Sequence, residues 1–160
     1  MKKQPILITG KDFQRIRQEI KKHQEKKIIF FSDNDELNRK IIEKENIGIM
    51  MLNLSKRKDF LKQKNSGLNH ILAKIAKKNN ISIGINLDEI INSKPKDKAK
   101  ILGRLMQNIE LCKKNKVQMH FVSAEDKGKN KDIYDLKSLG LVLGMPTWMT
   151  KSLEFMRLER

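Results

Sequence analysis

The sequence contains a single cysteine, and this scarcity excludes a fold held together by disulfides within the chain. A lone Cys112 is typical of proteins kept in a reducing compartment. No apolar run approaches the ~20 residues that a membrane-spanning helix requires. The apolar part of the N-terminal stretch MKKQPILITG is too short for a secretory signal. These absences predict a soluble, cytoplasmic protein that does not enter a membrane.

Aromatic residues and histidines are also few, which limits aromatic packing in the core and the number of histidines available to bind a metal. Six Phe, one Tyr and one Trp leave the core to aliphatic side chains. The three histidines, His23, His70 and His120, form no H-x-H or H-x-x-x-H pair, so a histidine-rich metal site is not expected. No G-x-S-x-G elbow occurs. The acidic run 33–36 is interpreted as a helix start with Asp33 as its cap. We therefore predict no catalytic residue and no metal ligand in this chain.

Acidic residues are outnumbered by basic ones, with 19 Asp and Glu against 35 Lys and Arg and a net charge of +16. Such an excess repels itself in a compact chain unless a polyanion neutralises it. Nucleic acid is the commonest such partner. A lysine-rich surface with no such partner, typical of an AT-rich genome, is the simpler alternative.

Short apolar runs alternate with helical patterns along the chain. The predicted strands are residues 5–9, 28–31, 47–52, 81–87 and 117–122. Because neighbouring positions within these runs are apolar, we expect them to be buried on both faces, as in a parallel sheet covered by helices. Five units in 160 residues are fewer than the eight units and ~250 residues of a closed barrel. The prediction is one α/β domain over residues 1–160, either a partial barrel or an open sheet.

The end of the chain is predicted to be helical. A charged loop over residues 92–97 precedes one long helix, and a second charged loop covers 124–132. A helix is then expected to end at Gly144. Pro146 would open a last helix that carries Trp148, Leu153 and Met156.

The stretch SGLNHILAKIAKKNNISIGINL, residues 66–87, places a Ser-Gly turn before a helix and a strand. Its core face is predicted from helical spacing to be Leu68, Ile71, Leu72 and Ile75, and its outward face to be His70, Lys74 and Lys77. Four basic residues crowd the loop just upstream: Arg57, Lys58, Lys62 and Lys64. Loops after the carboxyl ends of parallel strands form the ligand face of α/β folds, and a helix start can receive a phosphate. This region is therefore the candidate site.

Four segments, in order, resemble the archaeal ribonuclease P protein component 3 family. They are NDELNRKIIEKENIGIMM (34–51), RKDFLKQKNSGLNHILAKIAKKNNISIGINLDEII (57–91), GRLMQNIELCKKNKVQMHFVSA (103–124) and LKSLGLVLGM (136–145). The resemblance implies a TIM-barrel-like (β/α) barrel with parallel strands and outer helices, shortened or incomplete here, and similar to metal-dependent PHP phosphoesterases. It also implies a subunit of ribonuclease P, the ribonucleoprotein that removes the 5′ leader from precursor tRNA. The RNA subunit of that particle carries the catalytic Mg²⁺, so no cofactor is expected in this chain.

The resemblance further implies the partners. They are ribonuclease P RNA, precursor tRNA, and ribonuclease P protein component 2, an RRM-like subunit, in a heterotetramer. Combined with the charge pattern, it leads us to expect RNA or partner contacts from these residues: Arg39, Lys40, Arg57, Lys58, His70, Lys74, Arg104, Lys113 and Lys114.

An alternative function follows from the residues around the Ser-Gly turn. A barrel enzyme acting on a phosphorylated small molecule would use residues 67–70 as a phosphate cradle and His70 as the acid. Such an acid needs a carboxylate partner, and Asp59 or Asp88 are the candidates near it in sequence.

Overall fold

A six-stranded parallel sheet organises the computed structural model, which describes residues 4–125 and 131–158. The strands lie side by side in chain order, and each neighbouring pair is parallel. Their bounds are β1 Ile6–Thr9, β2 Ile28–Phe31, β3 Ile49–Leu52, β4 Ser82–Asn86, β5 Met119–Ser123 and β6 Phe155–Arg157. The carboxyl ends of all six strands therefore meet at one edge of the sheet.

Helices connect the strands and cover one face of the sheet. They are α1 Phe13–Lys22, α2 Asp35–Lys44, α3 His70–Lys78, α4 Leu87–Asn92, α5 Pro95–Asn115, α6 Ile133–Val142 and α7 Thr147–Lys151. Most begin at a side chain that accepts a backbone N–H of the first turn, which satisfies donors that the helix itself leaves free. These caps are Asp12, Asn34, Asn69, Asn86 and Asp132. Among the helices of the described ranges, none combines the length and apolarity needed to cross a membrane.

Alternate residues of the strands pack into two separate clusters, one on each face of the sheet. Phe30, Met50 and Phe121 belong to the larger cluster, between the sheet and the helices. Their neighbours Ile29, Ile49 and Val122 belong to a smaller cluster on the other face. The predicted burial of both faces is confirmed, and it explains why the strands show no alternation of polar and apolar residues.

The sheet curls into a half-barrel around the smaller cluster. Leu7 of β1 and Met156 of β6 both pack into that cluster, although they come from opposite edges of the sheet. Lys27 Nζ, just before β2, lies 3.6 Å from Glu154 Oε2, just before β6. Gly84 permits this curvature on β4, because a Cβ there would lie 2.9 Å from Cγ2 of Ile49.

The predicted elements agree with the structure through β5, apart from their ends and the segment after β4. The predicted strand 81–87 ends at Asn86, where α4 begins, and α5 begins at Pro95 inside the predicted loop 92–97. The cap of α2 is Asn34, not Asp33: its Oδ1 accepts the N–H groups of Glu36 and Leu37 at 3.0 and 3.2 Å. The predicted loop 124–132 includes residues 126–130, which lie outside the described residues.

The prediction for the end of the chain is wrong. Instead of one helix from Pro146 through Met156, the short helix α7 ends at Lys151 and the strand β6 follows. Leu153 and Met156 are buried, but in a connection and a strand. Their spacing also fits a helical face, and a three-residue strand is too short to show a two-residue period.

His120 is a buried histidine on β5. Its Nδ1 accepts the backbone N–H of Glu154 at 3.0 Å, which places the ring proton on Nε2. Burial, aided by the positive charge of Lys27, lowers the pKa of His120 to about 4. The ring is therefore neutral in the folded protein at pH 7.

We expect His120 to destabilise the fold in mild acid. Between pH 6.5 and about 4 the unfolded chain binds a proton at this ring and the folded chain does not. The contribution of this ring to the free energy of unfolding is therefore complete above pH 6.5. It is lost as the pH falls towards 4, by at most about 1.4 kcal/mol per pH unit. Urea unfolding at several pH values measures this slope. His120→Asn, whose Oδ1 can still accept from Glu154, should give a shallower slope; two parallel curves would contradict the assignment.

Candidate functional site

The loop of residues 53–69, which joins β3 to α3 at the carboxyl edge of the sheet, is fixed by one side chain from α5. Arg104 is 4% exposed and donates to the carbonyl oxygens of Leu54 and Arg57, each at 2.7 Å. Its Nε donates to Oδ1 of Asp59 at 2.9 Å. Asp59 also accepts the N–H of Asn65 at 2.9 Å. These hydrogen bonds, that from Arg104 foremost, lower the pKa of the Asp59 carboxyl.

Arg57 joins the same loop to the start of α2. Its two terminal nitrogens donate to the two carboxylate oxygens of Asp35 at 2.9 and 3.0 Å, a paired geometry that fixes orientation as well as distance. It also donates to Oδ1 of Asn65 at 3.2 Å and to the carbonyl of Asn53. With a side chain that is 11% exposed, Arg57 acts as a support of the loop.

The Ser-Gly turn before α3 is built around the Arg57 side chain. Gly67 has a φ of +74°, and a Cβ there would lie 2.6 Å from Nη2 of Arg57. Ser66 is buried, and its carbonyl accepts Nδ2 of Asn108 at 3.2 Å. Asn69 caps α3 by accepting the N–H of Leu72 at 2.9 Å. Glycine is required at position 67 by both conformation and space.

An open groove of about 630 Å³ lies between this turn, α2 and α5. We call it the α3 groove. Its basic lining consists of Arg39, Lys64 and His70, and its neutral lining includes Phe60, Asn65 and Ser66. Asp35 and Glu36 also line the groove: Arg57 neutralises Asp35, Glu36 keeps its negative charge, and Arg39 lies 2.9 Å from Glu43. The arrangement can hold an anionic group beside the first turn of α3.

A second hollow, of about 890 Å³, lies beside the groove at the ends of β1 and β2. Its lining shares Asp35 and Glu36 with the groove and adds Asp33 and a single cation, Lys11. With Asp35 paired to Arg57, two carboxylates face one lysine here, whereas the α3 groove sets Arg39 and Lys64 against Glu36, so the groove is the better anion site of the two.

The structure divides the predicted contact residues among four places. Arg39 and His70 line the α3 groove, with the exposed Lys58 and Lys74 on the adjoining loop and helix. Lys113 and Lys114 are exposed at the far end of α5, and Lys40 lies over the Phe13 ring, 4.3 Å from its centroid. Arg57 and Arg104 lie inside the loop, so we assign them a positioning role.

The predicted faces of α3 are partly wrong. Leu68 and Leu72 are buried, as expected, but Ile71 is 48% exposed. Ala73 and Ala76 are both fully buried, and their small side chains let α3 pack closely against its neighbours. Their small side chains carry little hydrophobic signal in the sequence, whereas the larger isoleucine does. The exposed positions of His70, Lys74 and Lys77 agree with the prediction.

Two acidic residues of α4 hold the neighbouring loops: Glu89, which sequence reasoning did not select, and Asp88, which it considered only as a partner of His70. Glu89 accepts the N–H groups of Leu54 and Ser55 after β3. Asp88 accepts the Ser123 hydroxyl and the N–H of Ala124, at 2.8 Å for the latter, after β5. The available signal was the spacing of Asn86 and Glu89, typical of a helix start, which the apolar run before it obscured.

The geometry does not support the acid-base pair required by the alternative enzyme function. Asp59 is engaged by Arg104 and Asp88 by the loop after β5, so neither is hydrogen-bonded to His70. Burial raises the pKa of the Cys112 thiol to about 12, which leaves it a poor nucleophile. Within residues 4–125 and 131–158, no three His, Cys, Asp or Glu side chains are grouped so that they could hold a metal ion. The described residues thus form a basic groove whose loop is held in place by Arg57 and Arg104.

Comparison with known proteins gives the groove its context. The family model described as RNase P subunit p30 matches residues 6–153. The chain belongs to the RNase P subunit p30 family. The predicted family resemblance is therefore confirmed. Ribonuclease P protein component 3 of a Methanococcus maripaludis strain is 28% identical over 150 residues, covering 92% of this chain and 60% of that protein. The protein of the same name from Methanocaldococcus jannaschii is 26% identical over 152 residues, covering 93% of this chain and 63% of that protein.

A solved structure also supports membership of the p30 family. A chain in the cryo-EM structure of archaeal ribonuclease P with mature tRNA superimposes with a TM-score of 0.74 at 25% identity. The match covers 92% of this chain and 62% of the other. The chain thus spans about 60% of the length of the relatives that it matches. The predicted partial TIM-barrel-like fold is confirmed.

In this p30 family member, Gly67→Ala is expected to lower the free energy of unfolding by about 2 kcal/mol. The added methyl group meets the Arg57 guanidinium, and alanine resists the left-handed conformation. Urea unfolding followed by the fluorescence of Trp148, the single tryptophan of the sequence, measures the change. Gly103→Ala is the control, because Gly103 lies inside α5 and its Cβ would meet the flexible Lys64 side chain. We expect that control to be neutral or stabilising; equal losses in both variants would contradict the role of Gly67.

Proposed function

We propose that the chain is a non-catalytic protein subunit of ribonuclease P, the ribonucleoprotein that removes the 5′ leader from precursor tRNA. The observation that carries this proposal is the α3 groove, a basic site held in place by buried arginines in a member of the p30 family. The net charge of +16 supports a polyanionic partner. In this proposal ribonuclease P RNA supplies catalysis and binds the Mg²⁺, and the protein supports the fold of that RNA. A cytoplasmic location for the complex is part of the proposal.

The exposed basic residues near the groove are the proposed RNA contacts. They are Arg39, Lys58, Lys64, His70 and Lys74. Lysine and arginine contacts of this type go to phosphates, which confer affinity and fix the position of the protein without choosing a base sequence. Arg57 and Arg104 contribute indirectly, because they keep the loop in the shape that presents the contacts.

A protein partner is proposed as well: ribonuclease P protein component 2, in a heterotetramer with this chain. The outer side of α6 supports a protein contact. It exposes Tyr134, Leu141 and Val142, whose spacing puts them on one side of the helix. Apolar side chains grouped on a surface mark sites of protein association.

Reconstitution tests the proposed function. Precursor tRNA cleavage by ribonuclease P RNA and component 2 is measured at limiting Mg²⁺ with and without this chain. We expect the chain to raise the cleavage rate, because neutralised phosphates let the RNA fold at lower Mg²⁺. An unrelated basic protein of similar net charge serves as the control for unspecific neutralisation. An unchanged rate, or an equal gain with the control protein, would contradict the proposal.

A further inference from the structure

A second group of basic residues lies at the opposite edge of the sheet from the α3 groove. Helices that connect parallel strands run antiparallel to them, so the last turns of α2, α3 and α5 lie at the amino ends of β3, β4 and β5. These turns carry six exposed lysines, which we call the basic rim: Lys44, Lys77, Lys78, Lys113, Lys114 and Lys116. The rim includes two predicted contact residues that lie away from the groove, Lys113 and Lys114.

The three helix ends of the rim are adjacent in space. Asn79, at the end of α3, donates from Nδ2 to the carbonyl of Ile42 in α2 at 2.7 Å. The turns into the strands are joined by backbone hydrogen bonds from Ser82 to Gly48 and from Ile83 to Gln118, each at 3.0 Å. Packed helices lie 8–10 Å apart, so three neighbouring helix ends span roughly 20 Å. A nucleic-acid duplex presents about six phosphates per strand over that length.

The rim keeps an excess of positive charge after its ion pairs are counted. Residues 74–82 and 111–118 contain no acidic side chain. Each of the nearest carboxylates in the sequence already lies beside a basic group: Glu43 beside Arg39 at 2.9 Å, Glu45 beside Arg17 at 3.2 Å, and Glu110 beside Lys113 at 4.0 Å. Lysines in a last helical turn also complement the helix dipole. That effect explains some of the rim, but it does not explain Lys116, which follows the helix.

Lys116 occupies a backbone position that favours glycine. It has φ +58° and ψ +37° directly after α5, the left-handed conformation in which helices commonly end. A residue with a Cβ is strained there. Its Nζ lies 5.7 Å from the centroid of the Trp148 ring, a weak contact at an exposed site. This contact offsets only part of the strain, so the fold alone does not account for a lysine at this position.

We propose that the basic rim is a second binding surface for the phosphodiester backbone of RNA, separate from the α3 groove. This inference rests on the proposed function. From His70 beside the groove to Lys77 at the rim, α3 rises about 10 Å. On α2 and α3 the groove lies at the first turns and the rim at the last turns, so the chain bridges two segments of RNA. Because rim contacts go to phosphates, they act without sequence preference.

A pair of glycine substitutions separates the role of the rim in binding from its role in folding. Lys116→Gly relieves strain, so thermal stability should rise or stay constant, while affinity for ribonuclease P RNA should fall about eightfold at 0.1 M salt. Asn80→Gly is the matched control: Asn80 has φ +54° after α3 and carries no charge. We expect it to keep both stability and RNA affinity. Lys113→Gln combined with Lys114→Gln should lower affinity further without loss of stability.

Footprinting of the RNA distinguishes this inference from the proposed function. Rim variants should lose protection at one set of nucleotides, and Lys58→Gln with Lys64→Gln, in the loop beside the groove, at another set. If groove variants weaken RNA binding and rim variants do not, the rim proposal is wrong and the proposed function stands. If the two groups of variants lose protection at the same nucleotides, the chain does not bridge two segments of RNA. If rim variants keep RNA affinity but lose binding of component 2, the rim is a protein interface and the proposal is overturned. If neither group changes RNA binding, both proposals fail.

Discussion

Replacing Arg104 by methionine is expected to lower the free energy of unfolding by about 3 kcal/mol. Methionine fills much of the same volume, so the loss comes from hydrogen bonds rather than from a cavity. The substitution leaves the carbonyl oxygens of Leu54 and Arg57 without their donor, and it removes the cation that balances Asp59. Because the loop of residues 53–69 then loses its anchor to α5, the α3 groove should also lose its shape.

Urea unfolding at pH 7, followed by Trp148 fluorescence, measures the loss. Arg15→Met is the matched control: it removes the same group from a side chain that is 89% exposed and 3.9 Å from Asp12, so we expect a change within about 0.5 kcal/mol. Arg104→Lys should recover little of the stability, because one ammonium cannot reach acceptors placed for a planar guanidinium. A loss below about 1 kcal/mol for Arg104→Met would show that the loop does not depend on this residue.

The affinity for ribonuclease P RNA is expected to fall about 10³-fold between 50 and 200 mM salt. This estimate assumes about six neutralised phosphates and a log-log slope of about −5 for duplex RNA, as counterion release predicts. The exposed basic residues of the α3 groove and the rim are sufficient in number for six contacts. The effect is a property of phosphate recognition, so unrelated duplex RNA should show a similar slope at weaker affinity.

Fluorescence anisotropy with labelled RNA over a salt series measures this slope. Lys58→Gln should make it shallower by about one unit, since one phosphate contact is lost. Lys11→Gln is the control of equal charge change, because Lys11 is exposed beside the acidic hollow where phosphate is repelled. An affinity that hardly depends on salt would mean that surface lysines are not the source of binding.

The core of the fold could be predicted from the sequence because its signals are local. The strand IIFF at 28–31 has the bounds expected from its consecutive apolar residues. The stripes of α1 and α2 also follow from spacing, with Ile16, Ile20 and Ile41 fully buried. Where the signal is short or carried by small residues, the prediction fails. Strand β6 has three residues, and two of the three buried residues of α3 are alanines.

The site was located by its charge, but its construction could not be predicted. Arg57 pairs with Asp35 across 22 positions of sequence, and Arg104 reaches Asp59 across 45. Nothing in the residue types distinguishes these two arginines from Arg39, which is exposed. Only the packing of α5 against the loop decides that two of the predicted contacts are internal supports. Lys58 and Lys74 remain predictions as RNA contacts, since position alone does not show what they touch.

The dependence of a whole loop on the Arg104 side chain has a consequence for how this lineage can change. We expect positions 59 and 104 to change together, because a new residue at either one leaves the other unbalanced. An insertion between 54 and 57 would also move the two carbonyl oxygens away from their shared donor. The loop tip is under no such constraint, and Leu61 there is fully exposed. In descendants of this protein, we expect the tip to drift freely while the anchored stretch keeps its length.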